Sequence, residues 1–470
     1  MNELETSPLV MSIDEITSND KAKPQWQWSV EFKLQEGAPV DLENPDIACM
    51  PREKEGIYWP IMTPNLDMIR DYEKGFCEHA NMIVEVGAGM WLKVLSPARH
   101  HLRVYITRRV VSREGGTEEL EEPLSLVFKP IFKDGPEAHQ SIDETIQLTR
   151  QELDARGIVQ LDVDLLSPAA EAVQSAPCGG TWRDVAAADL MQLVFANVCS
   201  QFTFEGTPLI TQQVIADKAN KTKRKFITIP AGTALTDLPA MLHRHHGGIW
   251  PTGVNRFLQD DTWYFYPPYD TERVDNERVT LTIVRAPERT YGGSTRTYLV
   301  DGDHVKILAS GAIGTLDPTQ KQFLQQGDGR RFASAKKVLD GTWLETKDNK
   351  AVASRSKNFS EMRIAADEYT DHRILNAPER FTDNALFQLS LLAGKKGQLV
   401  NLEWVNADHT LIRPGMPCRI LYEENRTVME LKGVVQYLNV SIQTTQVAAA
   451  AGEYKCTCSL VIFCLTPEPA

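Results

Sequence analysis

From Trp26 to Leu34 the chain alternates without a slip. Trp26, Trp28, Val30, Phe32 and Leu34 fall on one side, and Gln27, Ser29, Glu31 and Lys33 on the other. A period of two is the pattern of a strand with one buried face. Leu102, Val104 and Ile106 repeat it against Arg103, Tyr105 and Thr107. So do Cys456, Cys458, Leu460, Ile462 and Cys464 near the other end. Short runs such as MIVEV, LSLVFKPIF, LFQLSLL, QLVNLEWV and MPCRILY, several separated by Gly or Pro-Gly turns, add more strands. A chain built this way is mainly β, and its short strands suit small barrels.

Helical patterns interrupt the strands. Thr63-Pro64 reads as the start of a short helix, with Leu66, Ile69 and Tyr72 as its apolar stripe. Ser141 and Glu144 form a capping-box pattern before a helix that stops at Gly157. A further helix is expected over 182–200, with Thr181 and Asp184 at its start, and a short one over 237–246 before Gly247-Gly248. The aromatic strand TWYFYP follows. The expected organisation is a polar arm at 1–24, which orders only against a partner, and a first β-barrel domain at 25–140. An α+β domain follows at 141–277, a mixed β and loop domain at 278–384, and a C-terminal β-barrel domain at 385–470. The fold class is thus mainly β with α+β insertions, two small barrels flanking an α+β middle. QQGDGRR at 325–331 and KDNKAVASRSKN at 347–358 read as surface loops.

Composition narrows the function by exclusion. Across 470 residues the net charge is −13, opposite to a surface built to hold nucleic acid. No run approaches the ~18 apolar residues of a membrane span. The start, MNELETSPLVMSIDE, lacks the basic and apolar regions of a signal peptide. The eight scattered cysteines read as reduced thiols, which fits synthesis in a cytoplasm.

Candidate chemistry is thin. His243, His245 and His246 cluster, but 243 and 246 share a helix face while 245 points elsewhere, so a polar helix end is the better reading. Cys456, Cys458 and Cys464 lack the paired C-x2-C hooks of a zinc site and share one strand face as small apolar residues. Cys77-Glu78-His79 sets a thiol beside an imidazole, but adjacent helical side chains diverge by ~100°. G-x-S-x-G and P-loop motifs are absent from the sequence. Trp263, Tyr264, Phe265, Tyr266 and Tyr269 could stack on bases, yet Asp260, Asp261, Asp270 and Glu272 flank them, which favours strand packing. These residues nominate neither a catalytic group nor a cofactor.

Three stretches carry a family likeness. IPAGTALTDLPAMLHRHHGGIWPTGVNRFLQDDTWYFYPPYDT, from Ile229 to Thr271, runs from a short helix through GG-I-W and a turn to an aromatic strand and a Y-D-T exit. VDLLSPAAEAVQSAPCGGTWRDVAAADLMQLVFANV sets a strand and a Gly-rich turn before a helix. IRPGMPCRILYEENRTVMELKGVVQYLNVSI with YKCTCSLVIF closes the chain. Together they resemble the baseplate hub proteins of contractile-tailed bacteriophages over about 160–275 and 385–470. The resemblance implies a non-enzymatic virion protein: a homotrimer whose paired barrels join the tail-tube protein to the central spike protein. It would meet baseplate wedge proteins outside, and DNA would pass through its lumen during ejection. It implies residence in the tail baseplate after assembly in the host cytoplasm. An acidic lumen wall would keep DNA from sticking. Trp250, Trp263, Tyr264 and Tyr266 are expected as packing anchors at subunit contacts, since interfaces favour large aromatics. The alternatives are a wedge component or distal tail adaptor, present in six copies, and a cell-wall or carbohydrate-active enzyme built from β domains.

Overall fold

The structure is a computed structural model. It describes residues 8–18, 24–35, 52–53, 56–60, 62–87, 91, 95–112, 123–133, 158–245, 248–250, 252–291, 297–316, 331–333, 352–356, 359–363, 373–375, 397–424, 427–444 and 454–465. The protein is mainly β, as its period-two runs require. The helix expected from Ser141 and most of both expected surface loops lie outside the described residues.

The N-terminal β unit is built from β1 (Pro24–Leu34), β2 (Gly56–Pro60), β3 (Met62–Asp71), β4 (His79–Gly87), β5 (Leu102–Ser112), β6 (Leu124–Phe132) and β7 (Ile158–Leu166). Their order across the sheet is β2-β1-β5-β6-β7-β4-β3. Trp28, Val30, Phe32 and Leu34 of β1 are buried, in the phase the sequence predicts. They pair with β5, whose Leu102, Val104 and Ile106 are buried too.

The expected helix after Thr63-Pro64 is instead β3. Its buried residues are Leu66, Met68 and Arg70, a period of two. Ile69, counted as part of a helical stripe, is only half-buried on the opposite face. Ladders on both sides, to β4 and to the C-terminal barrel, override the local helix-start signal. Pro64, which cannot donate to a ladder, lies where the β3–β4 register shifts.

The middle region holds β8 (Pro177–Ala186), β9 (Gln212–Ile215), β10 (Lys223–Ala234), β11 (Asn255–Gln259) and β12 (Thr262–Tyr266). With them come two longer helices, Ala187–Cys199 and Leu238–His245. The first starts five residues later than the sequence suggested. Residues 177–186 pair with β10 instead, and Asp184 takes φ +52°, which a helix start does not allow. β9, β12 and β11 form a small sheet in that order, with β9 parallel to β12.

The C-terminal unit is a closed barrel. Its strands are β13 (Thr280–Arg285), β15 (His304–Leu316), β16 (Gly397–Val405), β17 (Pro417–Glu424), β18 (Thr427–Thr444) and β19 (Tyr454–Cys464). β14 (Tyr298–Asp301) pairs outside the ring with β15. The ring runs β18-β17-β13-β15-β16-β19 and returns to β18, so no member is left as an open edge. β15 pairs with β13 through its first half and with β16 through its second. Gly311 marks the change: a Cβ there would stand 1.9 Å from the Asn401 carbonyl oxygen.

The arm at 1–24 departs from its reading as polar and without period. Pro8–Ser18 is a helix whose Ile13 and Ile16 are buried on the barrel against Val284, Ala286, Tyr291 and Leu308. Two apolar residues three apart suffice, because β13 is buried on both faces and its Val284 needs an outer cover. Lys306 bonds Glu15 at 2.8 Å beside it.

Candidate functional site

The two β units meet along one strand. β18 pairs with β17 through 427–434 and with β3 through 437–443, while β19 runs along its other edge. Between the two partners lies a register shift at Val435–Tyr437. A bulge of this kind bends a strand and redirects its pairing. Gln436, at the shift, donates its side-chain amide to the Pro268 carbonyl, and its own carbonyl accepts from Tyr72 N–H at 2.9 Å. One strand therefore belongs to both units.

The turn after β3 ties in the middle region. Asn255 Nδ2 donates to the carbonyls of Tyr72 (2.6 Å) and Glu73 (2.9 Å). Arg256 donates to those of Gly75 (3.2 Å) and Thr236 (2.7 Å). Tyr266 Oη donates to the Tyr72 carbonyl at 2.8 Å. On the barrel side, Arg273 holds Glu277 through two bonds and donates to the Gly415 carbonyl at 3.0 Å. Gly415 has φ +59°, and a Cβ there would lie 2.1 Å from the Tyr266 ring. The Pro-Gly turn read from the sequence is thus also a close approach between barrel and middle region.

Charge is locked into the same junction. Arg70 Nε bonds Glu78 at 2.5 Å and its Nη1 donates to the His409 carbonyl at 3.2 Å. Arg108 bonds Asp408 at 2.8 Å, and both side chains are almost fully buried. Asp408 also accepts from the Thr410 N–H and hydroxyl. The His409 ring stacks on Trp28 with centroids 6.0 Å apart. Burial, reinforced by Arg70 and Arg108, holds the His409 pKa well below its usual range, so the ring is neutral. Burial would lower the Arg70 pKa, but Glu78, with Tyr72 and Asp260 adding to it, more than offsets this and the net shift is upward. Paired charges of this kind set one relative placement of two elements and are weak general stabilisers.

Sequence reasoning missed these groups, although a signal exists. Arg70 and Arg108 occupy the apolar phase of β3 and β5, in register with Leu66 and Met68 and with Val104 and Ile106. A cation in the core phase of a strand needs a buried partner.

Of the four expected interface aromatics, Trp250, Trp263 and Tyr266 are buried inside the chain, and Tyr264 is half-buried. Trp250 Nε1 donates to the Asp217 carbonyl at 2.9 Å. Trp263 lies edge-on to Phe195 at 4.9 Å and parallel to Phe265 at 6.0 Å. Tyr264 borders a cleft of 250 Å³ with Val214, Arg273 and Arg413.

His243 is buried with Nδ1 accepting from the Ile249 N–H at 3.0 Å, His245 is exposed, and His246 lies outside the described residues. Cys456, Cys458 and Cys464 are buried on one strand face. Cys77, Glu78 and His79 face three partners, respectively a bridge to Leu258, Arg70 and Asp164. Burial, with Glu78 adding to it, pushes the Cys77 thiol up to about 12, so it is protonated at neutral pH. Among the described residues no group of three or more His, Cys, Asp or Glu side chains is placed to hold a metal ion. No described helix is long and apolar enough to cross a membrane.

No family model and no curated protein sequence matches the chain. Among solved structures it is similar to the 43 kDa tail protein of prophage MuSo2 from Shewanella oneidensis. That match has a TM-score of 0.43 and 9% identity over 92% of this chain and 98% of that one. A second is the E. coli c3393 protein, described as a component of the type VI secretion system with structural similarity to the T4 bacteriophage tail proteins gp27 and gp5. It gives a TM-score of 0.38 and 9% identity over 87% of this chain and 77% of that one. A third is a chain of the phage P2 baseplate in its activated conformation, with a TM-score of 0.30 and 8% identity over 92% and 98%.

Proposed function

We propose that this chain is the structural hub of a contractile-tail baseplate. Three copies close head to tail into a ring that joins the tail-tube protein to the central spike, with wedge proteins outside and the DNA path through its centre. The observation that carries this reading is the shared strand β18. It fuses a closed barrel of six strands to a second β unit whose described strands run β2-β1-β5-β6-β7-β4-β3. Two fused β units per chain let three chains present a quasi-sixfold face to a sixfold tube and a threefold face to a spike. The buried junction supports it too, because an adaptor under axial load needs its two halves fixed relative to one another. Contacts of this head-to-tail kind close into rings when the rotation per copy fits.

Light scattering on the purified chain, with negative-stain images of the same fraction, tests the reading. The expected mass is about 158 kDa, three times 52.7 kDa, with a central hole in the images. A ring of six would move the protein to another tail layer, the wedge or distal adaptor position. A monomer that stays monomeric when the tube and spike proteins are added would overturn the hub.

A further inference from the structure

The segment that leads into β10 is the densest run of cations in this acidic chain. Lys218–Ala234 holds five cations and no carboxylate, so the remaining residues sum to −18 against −13 for the whole. Ile227 and Ile229 of β10 are buried on the core, and the opposite face is open. Phe226 stands on that open face at 49% exposure. The Arg183 guanidinium lies 5.3 Å from its ring centroid and the Lys225 ammonium 5.8 Å. Arg224, two residues earlier on the same face, and Lys223 are exposed and make no ion pair among the described residues. Neither strand pairs with a further strand among the described residues. An exposed aromatic ringed by cations has the anatomy of an interface anchor with a charged rim.

A matching surface exists elsewhere on the same chain. A cleft of 450 Å³ opens between β6, the 203–209 hairpin and the β11–β12 turn. Leu126, Phe128, Leu209 and Leu258 make its walls apolar, and Glu205, Asp260 and Asp261 bring carboxylates to it. Glu78 also lines it but is already paired with Arg70. Arg103, 6.0 Å from the Phe204 ring, and Arg70, beside Glu78 and Asp260, are cations near this cleft. The cleft has room for a phenyl ring and carboxylates for the cations around it.

We infer that the β8–β10 ribbon is a docking arm for a second copy of this chain, with Phe226 entering the neighbour's cleft and Arg224 facing its Glu205. The partner is a second copy because the cations lie on one part of the chain and the apolar, acidic cleft on another. Each copy can therefore give with one surface and receive with the other, as a heterologous ring contact demands. The inference deepens the ring reading and rests on it only for closure.

The test replaces Phe226→p-benzoylphenylalanine in the full chain. Isotope-labelled and unlabelled protein are mixed, illuminated and mapped by mass spectrometry. The expected products join one labelled and one unlabelled chain, from position 226 to residues 204–209 or 258–261. Arg224→Glu and Glu205→Lys should each cut their yield at least about tenfold, and the two together should restore it. Cross-links within one chain, to another surface, or none at all would overturn the contact, as would two charge variants that leave the yield unchanged. The ring reading fails separately. A trimer cross-linked elsewhere removes the contact and keeps the hub. A six-copy ring cross-linked at the cleft does the reverse.

Discussion

Arg108 and Asp408 are the sharpest probe of the junction. Their side chains are 7% and 5% exposed, and their nitrogen and oxygen lie 2.8 Å apart. Arg108→Met keeps most of the volume but strands the carboxylate of Asp408, which otherwise accepts from the Thr410 N–H and hydroxyl. Breaking a buried pair from one side costs about 3–5 kcal/mol. An unfolding entropy of about 2.1 cal/mol/K per residue gives roughly 1 kcal/mol/K for a chain of this length. The expected fall in melting temperature is therefore about 3–5 °C. Adding Asp408→Asn removes the stranded charge and keeps an acceptor for Thr410, so the double variant should recover more than half of the loss. Differential scanning calorimetry on wild type, both single variants and the double variant decides the matter. A melting temperature for Arg108→Met within about 1 °C of wild type, or a double variant no better than the single, would refute the claim that this pair locks the two units.

Three other outcomes follow from the same packing. Trp263→Ala empties a fully buried site between Phe195 and Phe265 and should cost about 3–5 kcal/mol in urea unfolding; a loss below about 1 kcal/mol would contradict the placement. Gly415→Ala drives a Cβ into the Tyr266 ring at a positive φ and should cost about 1–3 kcal/mol, with a neutral result arguing against the close approach of barrel and middle region. Burial, with Arg244 beside it, lowers the His243 pKa from 6.5 to about 3, so below pH 6.5 the unfolded chain takes up a proton that the folded chain refuses. Its contribution is complete above pH 6.5 and is lost as pH falls toward 3, with buried His409 acting in the same direction. His243→Asn should therefore lose less stability than wild type between pH 7 and pH 5 in urea titrations, and an unchanged loss would falsify the assignment.

The alternation in β1 and β5 and the one-sided cysteines of β19 were legible because a strand with one wet face writes its geometry into every second residue. The core phase of β1 and the short helix before the Ile249 turn follow from that local chemistry. The helix read at Thr63-Pro64 shows where local chemistry stops. Its start signal is worth about 1 kcal/mol, and two ladders formed by residues far along the chain outweigh it. For the same reason the sequence could single out Trp250, Trp263, Tyr264 and Tyr266 as large aromatics, but not that Trp250, Trp263 and Tyr266 are buried within the chain itself.

Sequence by itself determined that this chain is acidic, mainly β and rich in large aromatics around 250–269. Only tertiary structure decided that β18 serves two sheets, that Arg70 and Arg108 find partners at Glu78 and Asp408, and that Ile13 and Ile16 cover the barrel. Alternation is a property of neighbours in sequence. Ladder partners and buried charge pairs are chosen among residues up to 300 or more positions apart, where only the closed fold brings them into contact.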